Sequence, residues 1–214
     1  MKTTITLVAV AFTSVGLNAA TVTATPGDPA GGAGYTYHLT LGNGDQSQFV
    51  GTVGSWSWHD ASVETDPENE SLGWRHQSDW FYVTLTEATT LSLNFSRHNE
   101  VDDAKLFPSF TLYEGLADTN GFHTFPNQED IQWSPETNLL TYLTHFENDI
   151  DGSLSADISL PAGSYTIAFG GNATSEASPV NVNYSALISA SPIPEPSTAL
   201  FSTLGLFALL RRRR

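Results

Sequence analysis

The chain has 214 residues, 23 acidic against eight basic side chains and no cysteine, for a formal net charge of −15. Between residues 25 and 190 only Arg75, Arg97 and Lys105 stand against 22 acids, a net of −19. That field repels nucleic acid and anionic lipid and argues against both as partners; with no disulfide framework, the fold must rest on a packed core.

Met1-Lys2 is a short cationic start, Thr4–Leu17 is largely apolar, and small residues follow at Asn18-Ala19-Ala20 and Val22-Thr23-Ala24. This is the layout of a secretory signal peptide, too short for a stable spanning helix. It is expected to occupy residues 1–20, with cleavage after Ala19 or Ala20 and the Ala24 site as the alternative. Residues 21–190 then suit one domain.

That domain reads as strands. Tyr35–Leu41 alternates apolar with polar, and Asp79–Thr86 puts Trp80, Tyr82 and Thr84 on one face and Phe81, Val83 and Leu85 on the other. Leu91, Leu93 and Phe95 alternate in the same way, as do Phe110 and Leu112, then Tyr165, Ile167 and Phe169. Leu139–Phe146, Leu154–Leu160 and Val180–Ile188 continue the pattern, and Asn43-Gly44 and Pro161-Ala162-Gly163 supply turns. No segment before the tail sustains a helical period. The expected fold is all-β: an antiparallel β-sandwich, jelly-roll-like, with those inward residues between its two sheets.

Motifs of catalysis are missing from the sequence: there is no Gly-x-Ser-x-Gly elbow, no His-Glu-x-x-His, no P-loop and no cysteine nucleophile. The six histidines are scattered without ligand spacing, and carboxylates are too abundant for any pair to be diagnostic. A non-enzymatic role is expected. Three constellations are candidate binding sites. Asp149, Asp151 and Asp157 surround a glycine turn with hard oxygen ligands, which makes calcium the one candidate cofactor, although the loop lacks the bidentate Glu of an EF-hand. Glu64, Asp66, Glu68 and Glu70 are a second possible cation collector. Trp56 and Trp58 are expected to share a strand face, and with Trp74 and Trp133 they could stack sugar rings as well as fill a core.

The last segment has three ordered parts: a Pro-rich neck with Pro194, Glu195 and Pro196, an apolar run Ala199–Leu210, and the cations Arg211, Arg212, Arg213 and Arg214. Twelve residues at 1.5 Å rise span about 18 Å against a hydrocarbon core of about 30 Å, which suits transient inner-membrane anchoring with the arginines held in the cytoplasm. Residues 191–214 closely resemble the PEP-CTERM sorting signal, with a mildly short hydrophobic part. The resemblance implies a C-terminal hydrophobic helix, processing by an exosortase-type enzyme, and a cell-surface or extracellular destination. Within the domain, Gln77–Leu85, Ser109–Gly115 and Leu160–Ile167 resemble bacterial pre-peptidase C-terminal domains, which are non-catalytic β-sandwich modules of secreted proteins. The long insertion Glu114–Asn138 departs from that pattern. Two functions follow as expectations: a structural or adhesive component of the cell envelope or extracellular matrix, or a carbohydrate-binding module for exopolysaccharide. Exposed, coplanar tryptophans would mark the second.

Overall fold

The computed structural model describes residues 20–21, 25–26, 37–58, 78–98, 106–116, 127–134, 137–148, 150–172 and 180–193. Residues 1–19 of the expected leader and the C-terminal helix lie outside these residues, as do Pro194–Pro196, Trp74, Asp149 and the acid-rich run from Glu64 to Glu70, whereas Ala20, the last residue of the expected leader, is described. Twelve strands are present among the described residues: β1 (Ala20–Thr21), β2 (Thr25–Pro26), β3 (Tyr37–Leu41), β4 (Asp45–Gly54), β5 (Asp79–Leu85), β6 (Thr89–Arg97), β7 (Pro108–Glu114), β8 (Ile131–Ser134), β9 (Thr137–Phe146), β10 (Ser153–Leu160), β11 (Gly163–Gly171) and β12 (Asn181–Pro192). They form a five-stranded sheet, β1-β4-β12-β6-β10, and a seven-stranded sheet, β2-β3-β5-β11-β7-β9-β8.

The alternating sequences become the inner faces. Leu91, Leu93 and Phe95 of β6 and Val182, Tyr184, Ala186 and Ile188 of β12 are buried against Phe81, Val83 and Leu85 of β5 and Tyr165, Ile167 and Phe169 of β11. Phe95 and Phe169 stack across the gap between the sheets, with centroids 4.1 Å apart. The two layers therefore close on one core, as in a β-sandwich.

The expectation of wholly antiparallel pairing needs correcting, because β1 pairs with β4, and β3 with β5, in parallel. The chain crosses from β3 to β4 in the opposite sheet before returning as β5, and such a crossover brings a strand back in its original direction. Likewise, Pro161-Ala162 carries the chain from β10 in one sheet to β11 in the other, so the strands flanking this turn do not pair. β4 has no apolar alternation to betray it: its inward positions are Ser47, Phe49, Gly51 and Val53. Gly51 is required there, since a Cβ would lie 2.5 Å from the Tyr184 ring.

The registers sort the connections into two ends. One end carries the Gly42–Asp45 turn, residues 86–88, Pro161-Ala162 and the exit of β12. From the other end the chain leaves the sheets at Trp58, His98 and Asn172, beside the Asn148–Ser153 turn.

Candidate functional site

Trp58 is completely buried, and it is not part of a strand platform. Residues 55–57 form a turn in which the Ser57 N–H and Oγ both donate to Gly54 O, at 3.1 and 2.8 Å. This turn packs onto Gly170 and Gly171, where a Cβ on Gly171 would approach Ser55 O to 2.5 Å. Trp58 is thereby delivered to the outer face of the seven-stranded sheet. Its indole Nε1 donates to Thr111 Oγ1 at 3.1 Å, and its ring lies 5.9 Å from His145. Trp80, Tyr113, Ile131, Leu140 and Ala168 complete a second apolar cluster there. Trp56 is half-buried in the turn, and Trp133 lies in β8. The shared strand face expected for Trp56 and Trp58 is replaced by this turn, whose sequence signal is the Gly-Gly pair inside β11.

Of the calcium candidates, Asp151 and Asp157 are both exposed and are not brought together. Asp157 sits within β10 and accepts a bond from Ser92 Oγ at 2.6 Å. At about 3.3 Å per residue it stands about 13 Å along the strand from Ser153. The turn before β10 is organised by Asn148, a residue the acid pattern concealed. Its Oδ1 accepts the N–H groups of Ile150 and Asp151, and its Nδ2 donates to the carbonyls of Asp151 and Ser153. Among the described residues no group of three or more His, Cys, Asp or Glu could hold a metal ion.

One carboxylate is placed across the core. Asp79 of β5 is buried, and it accepts the hydroxyl of Tyr184 from the facing sheet. Burial, then the Asp79 charge and this hydrogen bond, push the Tyr184 hydroxyl far above its ordinary range. Burial and the same carboxylate raise Tyr37 as well. Opposite Tyr184 in the β6 register is Arg97, whose Nε donates to Leu106 O at 2.5 Å while its guanidinium lies 4.9 Å over the Phe107 ring. Together these contacts clasp the two sheets across an apolar interior.

The outer face of the five-stranded sheet is of another kind. Taking alternate residues Gln46–Thr52 of β4, Asn181–Ser191 of β12, Thr90–Ser96 of β6 and Ser153–Ser159 of β10 gives eighteen outward positions. Fifteen are Ser, Thr, Asn or Gln, two are Val50 and Leu187, and only Asp157 is charged. In a domain with 22 acids that composition is a marked exclusion of charge. Bonds run between neighbouring strands across the whole face: Thr52 to Asn183 at 2.8 Å, Ser96 to Ser185 at 2.7 Å, Ser155 to Asn94 at 2.7 Å and Ser92 to Asp157.

Residues 192–214 match the PEP-CTERM protein-sorting motif, so the chain carries a C-terminal exosortase sorting signal. No curated protein sequence matches the chain. Among solved structures, a surface-associated copper-binding protein important in copper acquisition, CorA of Methylomicrobium album BG8, is similar with a TM-score of 0.52 and 14% identity, covering 72% of this chain and 97% of that one. The secreted protein MopE of Methylococcus capsulatus, in which an oxidized tryptophan facilitates copper binding, gives 0.42 and 14% over 85% and 97%. The pre-peptidase C-terminal domain of a Bacillus anthracis collagenase gives 0.36 and 9% over 72% and 94%. At such identities the likeness to CorA is one of fold.

Proposed function

We propose that the chain is an exported cell-envelope protein: leader 1–20, a non-catalytic, jelly-roll-like sandwich over 21–190, and a tail from 191 that anchors it transiently until processed. The sandwich then serves an adhesive role at the cell surface or in the extracellular matrix. The observation that carries this reading is the outer face of the five-stranded sheet, neutral and polar but for Asp157. Neutral hydroxyls and amides lose their water at lower cost than charges, and they offer both donors and acceptors to a partner. A hydrated matrix polymer presents the matching groups. Exopolysaccharide is the partner proposed, met through hydrogen bonds on this face and not through the tryptophan platform that would mark a carbohydrate-binding module, since Trp58 is buried.

Retention of the exported protein on its own cells and matrix tests the reading. Charge introduced on the face by Asn183→Lys with Ser155→Lys should weaken retention at least tenfold, and Ile150→Lys, at an exposed position in the turn before β10, should not. Unchanged retention in the face variant, or equal retention of a tail-bearing protein lacking the sandwich, would remove the proposal.

Of the three aspartates a cation role falls to Asp149 and Asp151, because Asp157 stands apart, and the run from Glu64 to Glu70 is the other collector. If calcium binds there, it should raise the melting temperature more than magnesium or matched sodium chloride does, and Asp149→Asn with Asp151→Asn should erase the difference. Copper(II) belongs in the same titration, since CorA is described as copper-binding and imidazole suits that ion. Equal shifts from every salt would mean screening only.

A further inference from the structure

The sorting motif begins at residue 192, and β12 ends at Pro192, so the folded ladder and the motif share a residue. The last rungs pair Ala190 with Leu91, Ser191 with Thr90 and Pro192 with Thr89. They are secured from the side: the Gly44 N–H donates to Ala190 O at 2.8 Å, and Thr89 Oγ1 donates to Ser191 O at 2.6 Å. Ile193 alone then separates the sandwich from Pro194-Glu195-Pro196. A fully extended chain covers at most about 3.5 Å per residue, so Pro194 lies within about 7 Å of the last rung and Pro196 within about 14 Å. Neighbouring strands are about 4.8 Å apart, and the turns flanking β12 are within that same reach. A groove that encloses Pro194–Pro196 must press against them.

We infer that this end of the sandwich, built from the Gly42–Asp45 turn, residues 86–88 and Pro161-Ala162, is a docking surface for the membrane-embedded enzyme that processes the tail. The surface is pre-formed. Asp45 Oδ2 accepts the Gly42 N–H at 2.7 Å, Glu87 Oε1 accepts the Asn43 N–H at 3.0 Å, and the Thr86 N–H donates to Leu41 O at 3.0 Å, which locks two turns together. A rigid surface loses little entropy on contact. The turns carry carboxylates and no lysine or arginine, so the partner at this end is the protein rather than the anionic lipid around it. Sorting by this route reads the folded end together with the Pro-Glu-Pro sequence.

Pulse-chase measurement of tail removal in the exporting cells, read by mass, tests the inference on the full chain. Ala88 and Ala162 are exposed, so Ala88→Arg with Ala162→Arg leaves the core untouched; an unchanged melting temperature confirms this. The double variant should lose its tail at least fivefold more slowly than the parent. Inserting ten Gly/Ser residues between Ile193 and Pro194 moves the sandwich away from the enzyme, and the double variant should then be processed as fast as its inserted parent. Parental speed without the insertion overturns the inference. So does equal slowing with and without it, which would mean an export defect. Neither outcome bears on the adhesive face, which lies on the broad side of the sheet.

Discussion

The outer face of the seven-stranded sheet is roofed by Trp58, Trp80, Tyr113 and Ile131, whereas the outer face of the five-stranded sheet carries Ser, Thr, Asn and Gln that are half-buried or exposed among the described residues. Both sheets obey the same alternation on their inner sides. The difference lies in the second set of alternate positions. In β7 that set is Ser109, Thr111 and Tyr113, all buried, so the strand is covered on both sides. In β10 it is Ser153, Ser155, Asp157 and Ser159, all exposed. One sheet is thus the structural wall of the sandwich, and the other presents a surface.

The comparison breaks most visibly at Trp58. Truncation to Ala should cost about 3–5 kcal/mol in equilibrium denaturation, comparable with Phe95→Ala or Phe169→Ala in the main core. A loss below about 1 kcal/mol would mean that the roof is not integral to the fold. Next in size is the clasp between the sheets. Tyr184→Phe removes a hydrogen bond to a buried carboxylate and should cost about 1.5–3 kcal/mol. It should also change the alkaline limb. Folding raises the Tyr184 hydroxyl above its ordinary value of 10.0, so the unfolded chain loses this proton first. Stability is therefore intact below pH 10 and falls as pH rises beyond it, and the phenylalanine variant should fall less steeply. Equal slopes would remove Tyr184 from the account.

Gly51→Ala places a methyl against the Tyr184 ring and should cost about 1–3 kcal/mol through overpacking, which tests whether β4 approaches β12 as described. Smallest of all, Ser155→Ala and Asn183→Ala on the open face should shift stability by no more than about 0.5 kcal/mol. A larger cost would make the polar array a structural element rather than a presented one.

The inner faces were legible because the residues are committed: Leu91, Leu93 and Phe95, or Tyr165, Ile167 and Phe169, have no other way to hide. The sorting motif was legible because its three parts come in fixed order. β4 was not, because Ser47 and Gly51 occupy inward positions where a large neighbour from β12 fills the space. Trp58 was misplaced for a related reason. A tryptophan two residues from another reads as a strand face unless one knows that Gly170-Gly171, more than a hundred residues later, leaves room for a turn. Asn148 governs its turn through side-chain bonds to backbone, which the more conspicuous aspartates around it obscure.

The position of β12 has a mechanical consequence. It is the middle strand of its sheet, bonded to β4 along one side and β6 along the other, nine paired residues on each. Whatever the C-terminal end is joined to therefore pulls on this strand along its own axis, at right angles to hydrogen bonds on both flanks. Load applied in that direction shears two ladders at once instead of peeling one rung at a time. The C-terminal end thus leaves from a strand held on both flanks, the attachment that the adhesive role proposed above calls for.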